Sequence, residues 1–206
     1  MSARGLPNDA KKAPLRLVLI VGEVFSKINI DTVGPLPESP DGKKYILTAI
    51  CEASRYPEAV PLNDITSVSI INGLIDIFSR LGFPKIVQCD QGTSFTSNLT
   101  TEFLTKFGVQ IRHSSVYHPQ SNMVERFHRS LKRVLSVMCK EAAGDWAQTL
   151  PLALFAFRTA VHESVGFTPS EIVFGKNLRT PETLLYDHWM GEIGEVENKS
   201  VIEHVF

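Results

Sequence analysis

The stretch KINIDTV, Lys27–Val33, sets Ile28 and Ile30 between polar neighbours at a period of two and stops at Gly34-Pro35. That is the pattern of a half-buried strand ending in a turn. It places an acid, Asp31, near the strand's C-terminal end. Working outward, Asp41-Gly42-Lys43 marks a turn, and 45–51 and 58–62 read as two more strands joined around Arg55-Tyr56-Pro57. The first three strands then form an antiparallel meander. From Thr66 to Leu81 the apolar residues Val68, Ile71, Leu74, Ile75 and Phe78 recur at three and four, which predicts a helix stopped by Gly82 and Pro84. A short strand over 85–89 delivers a second acid, Asp90, at its end, with Gln91-Gly92-Thr93 as the following turn. Further on, the sequence predicts a helix over 98–107, a fifth strand over 109–113, and helices over 123–143 and 146–160. The expected architecture is α/β, a five-stranded mixed sheet flanked by helices.

The ends are less informative. Residues 1–20 read as a flexible lead-in, 21–180 as one folded core, and 181–206 as a weakly structured acidic tail. At 206 residues, 43% hydrophobic and 21% charged, the chain lies in the ordinary globular range. Cys51, Cys89 and Cys139 form no Cys-x-x-Cys pair, so neither a zinc ribbon nor a disulfide framework is expected, and a reducing intracellular setting is. The apolar run 15–21 is interrupted by Arg16 and is too short to span a bilayer, so no membrane association is expected.

A net charge of −1 makes no global case for nucleic acid. The distribution is uneven, because Arg126, Arg129, Lys132, Arg133 and Lys140 share one stretch without an acid up to Lys140. A solvated helix face is the ordinary reading of such a run. Asp31 and Asp90 fall at strand ends, where α/β sheets gather functional groups, and Glu125 opens the helix that carries the basic run. Taken singly, these acids also have structural readings, as turn formers or as a first-turn residue favoured by the helix dipole.

Five blocks of sequence narrow the choice: INIDTVGPLP (28–37), SRYPEAVPL (54–62), CDQGTSF (89–95), YHPQSNMVERFHRSLK (117–132) and GFTPSEIVFG (166–175). In matching order they resemble the integrase catalytic core of gypsy-type retrotransposons and retroviruses, a ribonuclease H-like family, over most of the chain. The resemblance implies that Asp31, Asp90 and Glu125 are a D,D-E triad holding two divalent ions, Mg²⁺ or Mn²⁺. Carboxylate oxygens are hard ligands, and two ions about 4 Å apart serve in-line displacement at phosphorus. The implied reactions are 3′-end processing and strand transfer of element DNA, in the nucleus, by at least a dimer. Tyr117, His118, Gln120, Ser121 and Asn122 resemble the loop that contacts DNA near the scissile phosphate, although Asn122 also reads as a helix N-cap. Arg129 and Lys132 are expected to hold phosphates. His128 lies beside the apolar stripe of its helix, and DNA contact and a core-edge position are both open for it.

The sequence departs from the family in one place. The glycine that usually follows the asparagine before the third acid is missing, so Asp90 and Glu125 stand one residue closer than integrases commonly have them. Reduced backbone freedom there puts full activity in question. The His-His-Cys-Cys zinc module and the basic small barrel that accompany integrase cores are not found in these residues. Besides the enzyme, two readings therefore stand: a domesticated, catalytically weak integrase-like module that binds nucleic acid or protein, and a ribonuclease H-type hydrolase of RNA in hybrids.

Overall fold

The computed structural model describes residues 22–90, 92–113, 121–142, 144–162 and 165–181. The expected lead-in, nearly all of the acidic tail, and Gln91, Tyr117, His118 and Gln120 lie outside those residues. Strands β1 (Lys27–Val33), β2 (Tyr45–Cys51) and β3 (Pro57–Leu62) pair as the antiparallel meander read from the sequence. Strands β4 (Ile86–Cys89) and β5 (Gln110–His113) join on the other side of β1, both parallel. The resulting mixed sheet has the order β3-β2-β1-β4-β5.

Alternation along the strands divides two cores. Ile28, Ile30, Leu47, Ala49, Val60 and Leu62 face helix α1 (Ser67–Leu81), with α2 (Thr93–Thr96) and α3 (Asn98–Lys106) beside it. Val33, Ile46 and Ala59 face the opposite way, onto α4 (Ser121–Ala142) and α5 (Trp146–Thr159). A short helix, α6 (Pro169–Phe174), follows α5.

Two expectations need correction, and two short helices, α2 and α6, went unread. The buried stripe of α1 is Ile70, Gly73, Leu74, Ile77 and Phe78, while Val68 and Ile75 are exposed. Both stripes have helical period; the phase is set by a close approach to the sheet, where a Cβ on Gly73 would stand 2.8 Å from Leu47 and 3.0 Å from Val60. Helix α6 escaped the sequence reading although its signal is present, a capping box in which Thr168 and Glu171 exchange bonds around Pro169. The described part of α4 begins at Ser121, so Asn122 lies inside the helix and does not cap it.

Helix α4 is amphipathic. Val124, Leu131 and Leu135 are buried, Phe127, Val134 and Met138 pack half-buried beside them, and Arg126, Arg129, Lys132 and Arg133 are exposed. Helix α5 braces it, and the Trp146 indole donates to the Pro37 carbonyl across 2.7 Å. Leu131 has no exposed surface at the centre of this packing. Leu131→Ala is expected to destabilise the fold by about 2–5 kcal/mol in urea unfolding. A loss below about 1 kcal/mol would mean that burial does not hold α4 to the sheet.

Candidate active site

The geometry begins with β1. Its parallel register with β4 pairs Lys27 with Ile86 and Asn29 with Gln88. Continued two residues, the same register sets Asp31 opposite Asp90, on strands about 4.8 Å apart. On its other side β1 pairs antiparallel with β2, and there Asp31 stands opposite Thr48. Asp31 and Thr48 belong to the α4 side of the sheet.

Helix α4 reaches this spot through His128. Its Nε2 lies 2.8 Å from Thr48 Oγ1, and its Nδ1 lies 3.7 Å from Asp31 Oδ2. Thr48 Oγ1 donates to the main-chain oxygen of Asp31 at 3.0 Å. Glu125 precedes His128 by three positions, so it shares that helix face and projects toward the same edge. The sequence-predicted triad is thus gathered at one end of the sheet, Asp31 half-buried and Asp90 and Glu125 exposed. The three do not close into a cage: among the described residues no three His, Cys, Asp or Glu side chains are set to hold a metal ion.

Electrostatics register the gathering. Burial pushes the Asp31 carboxyl up from the usual 3.8 to about 6, the Thr32 N–H opposes this, and the charges of Asp90 and Glu125 add to it. Asp31 Oδ1 accepts from that N–H at 2.7 Å. Burial, with the charge of Lys132, holds His128 down at about 4, so its approach to Asp31 is not an ion pair at neutral pH. Burial first, then Asp90 and Asp31, lift the Cys89 thiol to about 12, which makes it an inert core group. Asp90 Oδ1 accepts from the Gly92 N–H at 2.9 Å, and a Cβ on Gly92 would come within 3.0 Å of that oxygen. Gly92 therefore leaves room for the Asp90 carboxylate.

Of the other sequence candidates, Arg129 and Lys132 are exposed on α4. His128 is turned inward, with both ring nitrogens facing protein groups. Ser121 and Asn122 lie in the first described turn of α4. Thr48 was missed, because a threonine inside the apolar run YILTAIC carries no chemical signature; its register opposite Asp31 is what gives it a place here.

Residues 23–119 match the integrase core domain family. Over 171 residues the chain is 26% identical to the retrovirus-related Pol polyprotein from transposon 412 of Drosophila melanogaster, covering 82% of this chain and 14% of that protein. The crystallised catalytic core domain of BIV integrase superposes with a TM-score of 0.61 at 21% identity, over 82% of this chain and 99% of that one. The HTLV-2 integrase catalytic core domain in complex with magnesium, in a trimeric form, gives 0.61 at 18% identity, over 71% and 95%. These likenesses establish the fold as that of integrase catalytic cores, and the chain spans about a seventh of the curated polyprotein, 14% of its length.

The carboxyl shift fixes a pH dependence. Asp31 binds its proton more tightly folded than unfolded, so its contribution to stability is full below about pH 3.8 and is lost as pH rises through about 6. His128 works the opposite way, its contribution present above 6.5 and lost as pH falls through about 4. Asp31→Asn keeps an acceptor for Thr32 and removes the charge. In chelator at pH 8 the variant is expected to be about 1–2 kcal/mol more stable than the parent in urea melts, with the difference gone near pH 4. A parent that is the more stable at pH 8 would contradict the assigned environment of Asp31.

Proposed function

The chain carries an integrase core domain of the retroviral and retrotransposon kind, and from that premise we propose that it is a metal-dependent polynucleotidyl transferase acting on DNA. The observation that carries this reading is the gathering of acids at one sheet edge, where Asp31, raised to about 6 chiefly by burial, also meets the charges of Asp90 and Glu125. A fold held only for stability gains nothing from such repulsion.

The donor set fits Mg²⁺ or Mn²⁺: all oxygen, all carboxylate, and short of the positive charge that would relieve Asp31. Asp31, Asp90 and Glu125 would hold the ions. When bound, two such ions supply Lewis-acid stabilisation of the attacking and leaving oxygens at phosphorus. The remaining work belongs to the chain. Arg129 and Lys132 present a basic face one and two turns beyond Glu125 and hold DNA phosphates; such contacts fix position without reading sequence. Tyr117, His118, Gln120, Ser121 and Asn122 are assigned by resemblance to the DNA strand near the scissile bond. The proposal includes 3′-end processing and strand transfer, a nuclear location and a homo-oligomer of at least two copies.

One observation favours the second reading, a catalytically weak module that binds DNA or protein: Asp90 and Glu125 are exposed and no ready cage exists among the described residues. A branched DNA substrate that needs only the core, incubated with Mn²⁺ or Mg²⁺, separates the two. The parent chain is expected to resolve it, and Glu125→Gln to lose at least about 100-fold in rate, roughly 2.7 kcal/mol of barrier, with DNA affinity unchanged. DNA binding without turnover in the parent selects the binding module. Replacing both Arg129 and Lys132 by alanine is expected to weaken DNA binding and to lower the slope of log affinity against log salt by about 2, near 0.9 for each phosphate that is no longer neutralised. An unchanged slope would remove both residues from the interface.

A further inference from the structure

Thr48 is fully buried, and the geometry around its hydroxyl decides where the proton of His128 sits. Thr48 Oγ1 lies 3.0 Å from the main-chain oxygen of Asp31 and 2.8 Å from His128 Nε2. A carbonyl oxygen can only accept, so the single hydroxyl proton of Thr48 is committed to Asp31. Toward the imidazole the hydroxyl must then accept, which puts the ring proton on Nε2. Nδ1 is left carrying a lone pair.

That lone pair faces Asp31 Oδ2 at 3.7 Å. The other carboxylate oxygen, Oδ1, takes the Thr32 N–H. Nδ1 and Oδ2 are both acceptors, so they make no hydrogen bond with each other and are set to receive one from a third group. An O–H seated about 2.8 Å from each would fit that pair. Water, with two protons, donates to both; a sugar hydroxyl, with one, donates to Nδ1 while its oxygen stays beside the carboxylate centre.

We propose that His128 Nδ1 orients the attacking hydroxyl of the transfer reaction, water or a DNA 3′-OH, by accepting its hydrogen bond beside Asp31. Thr48 is the positioning residue that fixes the imidazole in the Nε2–H form. The assignment rests on the reading of Asp31 as part of a phosphoryl-transfer centre. It gives His128 a role that merely anchoring α4 does not require, since an anchor needs only the bond to Thr48.

Two measurements on the full chain test it. Long-range ¹⁵N–¹H correlation spectra at neutral pH are expected to show Nε2 protonated and Nδ1 bare, and Thr48→Val is expected to release the ring into a mixture of tautomers. An Nδ1–H form in the parent overturns the proposal. In single-turnover cleavage of branched DNA with Mn²⁺, the two amide variants part company, because Asn places an acceptor where Nδ1 was and Gln places a donor where Nε2 was. His128→Gln is expected to keep the thermal stability of the parent and lose about tenfold in rate, the worth of one hydrogen bond of about 1.4 kcal/mol, at unchanged DNA affinity. His128→Asn is expected to lose stability and retain more of the rate than His128→Gln. If His128→Gln turns over at the parent's rate while the parent is active, His128 is an anchor only and this proposal fails alone. A parent without metal-dependent turnover overturns the phosphoryl-transfer reading and this assignment with it.

Discussion

Strand β1 is paired antiparallel on one side and parallel on the other, and the site depends on that mixed pairing. Parallel pairing with β4 brings Asp31 and Asp90 to the same end of the sheet, where antiparallel strands would send their C-terminal ends apart. Antiparallel pairing with β2 puts Thr48 across from Asp31 and gives α4 a polar foothold on an otherwise apolar surface. A parallel pair needs a long crossover, and β2, β3 and α1 supply it, which is why acids so distant in the sequence become neighbours. Burial of Leu131 and Leu135 then fixes the rotation of α4, and with it the direction of Glu125.

The arrangement holds together against its own charges. Raising the Asp31 carboxyl to about 6 means that the ionised form opposes folding at neutral pH, and Asp90 and Glu125 deepen the opposition. The larger core on the far side of the sheet, with Ile70, Leu74, Ile77 and Phe78 sealed against Ile30 and Leu47, offsets it. Glu58 shows the contrary solution in the same molecule. It is buried, but Arg80 and Arg158 bond to its two oxygens at 2.9 and 2.6 Å, so its charge is met by protein groups. Asp31 has no such cationic partner among the described ion pairs, and His128 beside it stays neutral.

Most of the fold was legible because the elements have strong periods. KINIDTV and the helix from Thr66 carry their class in the sequence, and the acids at strand ends follow from the strand limits. Rotation was not legible: Val68 and Ile75 fit a helical stripe as well as Ile70 and Ile77 do, and only the approach of Leu47 and Val60 to Gly73 selects between them. For the same reason Thr48 stayed hidden, and the sequence left both positions of His128 open. Each depends on which residue lies across the ladder or under the helix, a tertiary relation that local pattern does not encode. Helix α6 was readable in principle from Thr168, Pro169 and Glu171, but six residues give too little periodicity to stand out from a turn.

Charge distribution constrains α4 further. A chain of net charge −1 exerts little long-range pull on a polyanion, and screening confines what remains to about 8 Å at physiological salt. Any hold on DNA must therefore be local, at exposed cations within a Debye length of the chemistry. On α4, Leu131 and Leu135 pack on the sheet and His128 beside them reaches Thr48, while Glu125, Arg129 and Lys132, spaced at four and seven residues, share the neighbouring exposed face. Moving any residue by one position along the helix would rotate it by about 100° and exchange these faces. The sequence shortening falls between Asn122 and Met123, in the first turn of α4, where it changes the phase only of what precedes it and leaves the spacing from Met123 onward intact. The helix is continuous from Ser121 to Ala142, and the residues after the shortening keep their places, with Leu131 in the core and His128 on Thr48.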